Sequence, residues 1–225
     1  MCRELGLLGV LAALLPTLAF AGEVSGKVSL GVGGAHVRDL GPIVVYLSPR
    51  DGAAVPRQDR HAEIRQRNAR FDPSFLVVTV GQPVSMPNDD VIFHNVFSFS
   101  RPNDFDLGMF PSGESRTVVF SQAGLVKLYC SIHESMSGAV LVTPSQWFVR
   151  ASPSGRYAIP AVPAGRYDLT VWNEKLPAST QPITVGSQRL VADLVLGRLS
   201  GALATTTPGT GPTGDGSPPP AARQD

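Results

Sequence analysis

The chain has 225 residues, a formal net charge of +1, and 43% hydrophobic residues. This length allows one large β domain or two small ones with a real core, and the near-neutral charge gives no reason to expect a nucleic-acid partner or a membrane-surface binder. Its 23 glycines and 20 prolines, together with short apolar runs rich in valine, indicate an all-β protein with many turns.

The first residues have the pattern of an export signal. Arg3 forms a short positive region, residues 7–18 are apolar, and Ala19-Phe20-Ala21 fits a signal-peptidase cleavage site. We therefore expect residues 1–21 to be a signal peptide, the mature chain to begin at Gly22, and the protein to be periplasmic or secreted. The apolar run is too short to span a bilayer comfortably and no later segment could span one, so we expect no membrane span in the mature chain.

Export would leave a single cysteine. Cys2 departs with the signal peptide, so Cys130 is the only cysteine of the predicted mature chain. An intramolecular disulfide is then impossible, and metal ligation is one way to occupy a lone thiol in an oxidising compartment.

Alternating apolar and polar residues predict a first strand at residues 24–30, and the apolar run at residues 43–47 predicts a second. The following residues 50–61 are polar and irregular. Five arginines lie between Arg57 and Arg70, a pattern that favours a solvated loop over a docking patch. His36 and His61 lie in loops without a second ligand nearby, so we expect both to be exposed.

A compact run of predicted strands covers residues 62–143. Val126, Leu128 and Cys130 fall on one face of a strand because they alternate with Lys127 and Tyr129. Cys130 should therefore end its strand on the inward face.

The third region runs from residue 147 to residue 198. Residues 154–160 and 164–170 both read as a turn followed by a strand, which predicts a hairpin with its turn at Pro163-Ala164-Gly165. Two more strands are expected at 183–185 and 190–196. Residues 204–225 are mostly Thr, Pro, Gly and Ser, and are predicted to be a disordered tail.

The segment from Cys130 to Met136 contains side chains that can bind a metal ion. It offers a thiolate, an imidazole from His133 and a thioether within seven residues, and His94 upstream can supply a second imidazole. One Cys, two His and one Met are the ligand set of a blue-copper electron-transfer site, and the Met argues against zinc. Each residue alone could be structural. Their combination and order predict a mononuclear copper site.

Residues 62–143 also resemble the cupredoxin family, the plastocyanin-like and amicyanin-like blue copper proteins. The resemblance is carried in order by Phe71-Asp72-Pro73, Asn88-Asp89-Asp90, His94-Asn95-Val96, Phe105-Asp106-Leu107-Gly108 and Cys130-x-x-His133-x-x-Met136-x-Gly138. The spacing from His133 to Met136 is closer to amicyanin than to plastocyanin. Ile132 departs from the family, whose small members often carry proline there.

This resemblance implies a Greek-key β-sandwich that holds one copper ion, cycling between Cu(I) and Cu(II). His94, Cys130 and His133 would form the trigonal plane with Met136 as the long axial ligand. Asn95 and Ser131 would tie the two ligand loops together, and the ring of His133 would be the exposed edge for electrons. Apolar rim residues are expected at Met109, Phe110 and Ile132.

The flanking segments resemble a different module, the carboxypeptidase-regulatory-like (transthyretin-like) β-sandwich. Its opening half would be residues 22–50, and its closing half residues 147–198 with the run GRYAIPAVPAGRYDLTVW. The sequence allows two arrangements of the flanking segments and the cupredoxin domain. The cupredoxin domain is inserted into a loop of this second small sandwich, which we favour, or the N-terminal strands join the cupredoxin sheet.

The leading functional hypothesis is an exported type 1 copper protein that carries single electrons between redox partners, such as a cytochrome c or a dehydrogenase, by transient docking. The alternatives are a copper carrier or storage protein, and a structural or interaction module whose copper site is secondary. We expect no enzyme activity. A binuclear purple-copper centre needs two bridging cysteines, and the predicted mature chain has one. Multicopper oxidases and copper nitrite reductases need further histidines, and only His36 and His61 remain, on unrelated loops.

Overall fold

The computed structural model describes residues 21–33, 36–52 and 61–197. The predicted signal peptide, apart from Ala21, and the predicted tail at 204–225 lie outside the described residues. Within the described ranges, no helix is long and apolar enough to cross a membrane.

The described chain is almost entirely strand, with one short 3-10 helix at Val37–Asp39, which confirms the predicted all-β class. The strands are β1 (Ala21–Leu30), β2 (Val44–Pro49), β3 (Ala62–Glu63), β4 (Arg65–Arg67), β5 (Arg70–Asp72), β6 (Phe75–Thr79), β7 (Pro83–Pro87), β8 (His94–Ser98), β9 (Phe105–Phe110), β10 (Ser115–Val119), β11 (Gly124–Tyr129), β12 (Ser137–Thr143), β13 (Phe148–Arg150), β14 (Arg156–Pro163), β15 (Gly165–Trp172), β16 (Ser179–Val185), β17 (Leu190–Val191) and β18 (Leu194–Leu196).

Strands from both ends of the described chain form one sandwich, here called the outer sandwich (β1, β2 and β13–β18). In one sheet β1 lies between β14 and β17 and also pairs with β18, and the other sheet has the order β13-β2-β15-β16. Both sheets bury their inward residues in a single core, to which β1 contributes Val24 and β2 contributes Leu47. The outer sandwich is therefore closed by strands that lie far apart in the sequence.

The predicted hairpin between residues 154 and 170 is wrong. β14 pairs antiparallel with β1, whereas β15 pairs with β2 and β16, so the chain crosses from one sheet to the other near Ala164. Ile159 on β14 and Leu169 on β15 reach the same core from its two sides. The turn signal shows where the chain reverses but not which strand it pairs with, and the true partners come from the N-terminal part of the chain.

Strands β3–β12 form a separate unit, here called the inner block. It has one sheet with the order β10-β7-β3, a five-stranded sheet with the order β6-β12-β11-β8-β9, and the small hairpin β4-β5. The inner block has its own core, which includes Cys130 and Met136. β8 begins with His94 and lies beside β11, which leads directly into Cys130. This pairing brings together two sequence segments that carry predicted ligands.

In sequence, the inner block lies between β2 and β13, and these two strands are neighbours in one sheet of the outer sandwich. Tyr46 on β2 pairs with Phe148 on β13, and the N–H of Leu47 donates to the carbonyl of Trp147 at 2.9 Å. The hydroxyl of Ser145 donates to the carbonyl of Leu47. β1 and β2 thus belong to the outer sandwich, and the arrangement in which they join the cupredoxin sheet is wrong.

Contacts of three kinds hold the inner block against the outer sandwich. The ring of Phe75 stacks on that of Trp172, with centroids 6.0 Å apart and an interplanar angle of 3°. Arg150 donates from Nη2 to the carbonyl of Phe75 at 2.7 Å and lies over its ring. Lys127 forms an ion pair with Glu174. The stacked rings and the guanidinium give the junction specific geometry as well as buried area.

Candidate metal centre

Three predicted ligands converge at one end of the inner block. Sγ of Cys130 lies 3.7 Å from Nδ1 of His94 and 3.7 Å from Nδ1 of His133. The centroids of the two imidazoles are 4.7 Å apart, and the three candidate ligand atoms all lie within 4.8 Å of one another. Cys130 and His94 are buried, whereas His133 is half-buried.

These separations fit a shared metal ion. Metal–nitrogen and metal–sulfur bonds of about 2.0 and 2.3 Å place the two ligand atoms about 3.5 to 3.7 Å apart, for bond angles between tetrahedral and trigonal. The observed 3.7 Å from Sγ of Cys130 to each Nδ1 falls within that interval. Both sulfur–nitrogen separations therefore suit ligands of one metal ion.

Met136 lies at the end of the same loop. Its backbone N–H donates to the carbonyl of His133 at 2.9 Å, which closes a turn just before β12 begins. Its side chain is 1% exposed and packs in the core that also holds Cys130. Its assignment as the fourth ligand stays a prediction.

Asn88 fixes the loop that precedes His94. Its side-chain amide donates to the carbonyls of Ile92 at 2.8 Å and Phe110 at 3.1 Å, and its oxygen accepts the N–H of Asp90 at 3.0 Å. Asn88 is fully buried. These bonds satisfy the polar groups of an irregular loop and hold it in one conformation at the entrance to β8.

Asp90 orients the imidazole of His94. Nε2 of His94 lies 2.8 Å from Oδ2 of Asp90, on the opposite side of the ring from the nitrogen that faces Cys130. A carboxylate on one ring nitrogen holds the proton there and leaves the other nitrogen free as a metal ligand. Asp90 belongs to the Asn88-Asp89-Asp90 motif noted in the sequence, but its role toward His94 was not predicted, although a carboxylate four positions before a candidate ligand is a signal that could have indicated it.

The carboxylate of Asp90 is itself held by the turn between β4 and β5. It accepts the N–H of Asn68 at 2.6 Å and that of Ala69 at 2.9 Å, two residues with φ of 54° and 51°. Burial raises the pKa of Asp90, but the bonds from Ala69, His94 and Asn68 lower it more, so the net pKa is below the ordinary aspartate value. The ionised carboxylate thus links the hairpin to the candidate metal centre.

Asn95 connects the two segments that carry ligands, as the cupredoxin resemblance implies. Its carboxamide oxygen accepts both the N–H and the hydroxyl of Ser131, each at 2.8 Å. Because Asn95 follows His94 and Ser131 follows Cys130, the bonds fix the spacing between the two ligands. Asn95 is 5% exposed, so water does not readily compete for these bonds.

The surface next to the ligands in sequence is apolar. Phe93 beside His94 is 54% exposed and Ile132 beside His133 is 51% exposed, and Met109, which pairs with Asn95 across β8 and β9, is 45% exposed. The prediction that Phe110 also belongs to this rim is wrong, because its side chain is fully buried in the core of the inner block. Phe110 lies opposite His94 on the neighbouring strand, so both side chains point to the inner face.

The two remaining histidines lie outside the cluster. His36 and His61 are exposed, as predicted. His61 lies 3.0 Å from the hydroxyl of Ser85 and 3.6 Å from a carboxylate oxygen of Glu63. In the described part of the chain, His94, Cys130 and His133 form the one group of His, Cys and acidic residues with the spacing of a metal site.

Comparison with known proteins gives two kinds of match. The family described as polysaccharide lyase family 4, domain II, matches residues 120–191, from the end of β10 into the last strands of the outer sandwich. No curated protein matches the chain.

Solved cupredoxin structures are among the matches to the fold. A purple cupredoxin from Nitrosopumilus maritimus is 29% identical, with 36% of this chain and 99% of that chain covered and a TM-score of 0.34. A reduced mutant of amicyanin is 22% identical, with 39% of this chain and 86% of the amicyanin chain covered and a TM-score of 0.36. A copper-containing nitrite reductase from Thermus scotoductus is 23% identical, with 43% of this chain and 25% of the reductase chain covered and a TM-score of 0.36.

These matches say nothing about the geometry of the site at such TM-scores. The inner block resembles the cupredoxins in the order of its motifs and in its cluster of one cysteine and two histidines. The described chain as a whole is a cupredoxin-like β-sandwich together with a second β-sandwich.

Proposed function

We propose that this protein is an exported type 1 copper protein that carries single electrons. The observation that supports this best is the position of Cys130 Sγ, 3.7 Å from Nδ1 of both His94 and His133. Thiolate and thioether are soft ligands that favour copper, and imidazole suits copper as well. We assign His94, Cys130 and His133 to the trigonal plane of one copper ion and Met136 to the weak axial position.

The surroundings of the ligands support electron transfer more than ion delivery. Copper bound here supplies one-electron chemistry through its Cu(I) and Cu(II) states. Asp90 fixes the ring of His94, and Asn95 fixes the start of the loop that holds Cys130. Ligands held in this way move little when the oxidation state changes, and buried ligands such as His94, with 0% exposure, release an ion slowly.

The partner in this proposal is a redox protein, such as a cytochrome c or a dehydrogenase, that docks transiently. The half-buried His133 is the route for electrons, and the exposed apolar side chains of Phe93, Met109 and Ile132 supply a small contact surface. Redox encounters use small interfaces of this kind. The export pattern in residues 1–21 supports a periplasmic or secreted location.

We also propose that the protein does not turn over a substrate. The nitrite reductase match covers only 25% of that enzyme chain. A second copper centre would need further histidines, and in the described residues His36 and His61 are exposed and outside the cluster. Addition of nitrite to the reduced, copper-loaded protein tests this, and sustained nitrite consumption would contradict it.

A visible absorption spectrum tests the copper assignment. The oxidised, copper-loaded full chain should show an intense blue thiolate-to-copper band, which Cys130→Ser should abolish. Met136→Leu should keep a band and shift the reduction potential, whereas the exposed Met109→Leu serves as a matched control with neither effect. A protein that binds copper tightly and stays colourless would overturn the assignment.

Repeated oxidation and reduction distinguishes an electron carrier from a protein that carries copper ions. The copper-loaded protein should cycle repeatedly between reduced and oxidised states without metal loss. If copper instead passes to a chelator of modest affinity within each cycle, the copper-carrier alternative is correct.

A further inference from the structure

A cavity of about 640 Å³ in the outer sandwich has a marked excess of positive charge. Its charged lining residues are Lys27 on β1, Arg150 on β13, Arg156 on β14, Arg189 before β17 and Asp193 before β18. Four cations and one carboxylate give the lining a formal charge of +3. The whole chain carries only +1, so the charge is concentrated here.

Two of the cations oppose each other directly. Lys27 and Arg156 are partners in the antiparallel register of β1 and β14, so their side chains lie on the same face of the sheet. Like charges in this position destabilise a sheet. No carboxylate of the described residues forms an ion pair with either side chain, and Asp193 instead accepts the backbone N–H of Lys27 at 2.8 Å.

The other two cations have polar partners. Arg150 donates to the carbonyl of Phe75 at 2.7 Å and has no carboxylate partner within the described ranges. Nε of Arg189 lies 2.8 Å from the hydroxyl of Ser25, which is 2% exposed, and 3.2 Å from a carboxylate oxygen of Glu23. The guanidinium of Arg150 is thus directed to Phe75, which is not part of the lining, so Arg189 is the cation that joins the unpaired Lys27 and Arg156 at the cavity.

We propose that this cavity binds a phosphate group. Guanidinium groups present parallel N–H donors that match the oxygens of a phosphate, and charge-assisted bonds of this type are the strong ones. An anion between Lys27 and Arg156 removes the repulsion that the strand register imposes. The phosphate is either a free ion or the headgroup of an anionic lipid. The outer sandwich thereby has a binding role that is independent of the metal centre.

Calorimetric titration of the full chain with inorganic phosphate tests the site. The double variant Lys27→Gln/Arg156→Gln should bind phosphate about 100-fold more weakly, since each lost charged contact accounts for about tenfold. The control Arg70→Gln/Arg101→Gln removes two exposed arginines of the inner block, which also lack acidic partners among the described residues, and should bind like the wild type.

Thermal unfolding provides a readout that does not depend on binding heat. Phosphate should raise the midpoint of the wild type but not that of Lys27→Gln/Arg156→Gln. Without phosphate, this variant should unfold at or above the wild-type midpoint because the like-charge pair is gone. A lower midpoint without phosphate would show that the two cations stabilise the sheet and would overturn the proposal.

Vesicles identify the source of the phosphate. If the wild type co-sediments with phosphatidylglycerol vesicles but not with phosphatidylcholine vesicles, and inorganic phosphate displaces it, the group is a lipid headgroup. Binding of inorganic phosphate without vesicle binding indicates a free ion. Absence of both, or equal phosphate binding by the wild type and Lys27→Gln/Arg156→Gln, overturns the site.

Discussion

The carboxamide oxygen of Asn95 accepts two hydrogen bonds from Ser131, one from the backbone N–H and one from the hydroxyl, each 2.8 Å long. These bonds join β8, which carries His94, to the loop that follows Cys130. A single buried side chain thus reinforces the distance between two candidate ligands that the pairing of β8 with β11 brings together.

Asn95→Ala should lower copper affinity by about 10- to 100-fold, the usual effect of removing a group that positions a metal ligand. Ser131→Ala removes the hydroxyl bond and keeps the backbone bond, so we expect a smaller loss. Competition with a chelator of known affinity measures both. Equal affinity in Asn95→Ala and the wild type would show that the ligands hold their spacing without this tie.

Asp90→Asn should also weaken copper binding by about 10- to 100-fold, because the carboxylate fixes the protonated nitrogen of the His94 ring. The matched control is Asp89→Asn at the adjacent position. Asp89 is paired with Arg65 and Arg67 at the surface and does not contact a candidate ligand. Asp89→Asn should therefore leave copper affinity unchanged, and an equal loss in both variants would point to general destabilisation.

Gly155→Ala should destabilise the outer sandwich by about 3 kcal/mol or more. Gly155 has φ of +82°, and a Cβ there would lie 2.3 Å from the backbone oxygen of Val28. Gly113 has nearly the same φ, +81°, but no atom lies within 4 Å of its added Cβ. Gly113→Ala should therefore cost only about 1 kcal/mol of conformational strain. Denaturant unfolding measures both, and equal losses would contradict the role of the backbone clash.

Tyr157→Phe should cost about 1 kcal/mol of stability at neutral pH, because the buried hydroxyl donates to the carbonyl of Ala192. Burial, together with the charge of Asp193, raises the pKa of Tyr157 above its ordinary value of 10.0. The stability linked to this neutral phenol is fully present below about pH 10 and is lost as the pH rises, since the unfolded chain ionises first. Between pH 9 and 11, the unfolding free energy of Tyr157→Phe should therefore fall less than that of the wild type. If both unfolding free energies fell equally with pH, Tyr157 would not be the group responsible.

Local patterns in the sequence were sufficient to predict most strands and the convergence of His94, Cys130 and His133. The alternation of Val126, Leu128 and Cys130 correctly indicated an inward cysteine, since side-chain alternation depends only on the strand itself. Met136 as the fourth ligand stays a prediction.

The errors arose where a residue's role depends on distant partners. The turn at Pro163-Ala164-Gly165 suggested a hairpin, but β14 and β15 each pair with a strand from the first fifty residues. Phe110 was expected at the surface, whereas its register opposite His94 turns it inward. The role of Asp90 was not predicted because it appears only once the turn at Asn68 and Ala69 closes on the carboxylate.

The pairing of β2 with β13 sets an order for folding during synthesis. β1 and β2 leave the ribosome first, but their partners β14 and β15 follow only after the whole inner block has been made. The inner block can therefore collapse on its own core while the edges of β1 and β2 are still unpaired, and those edges are exposed to wrong partners during that interval. Once the block is compact, its close ends reduce the entropy loss of bringing β2 and β13 together. The inner block thus assists the closure of the outer sandwich.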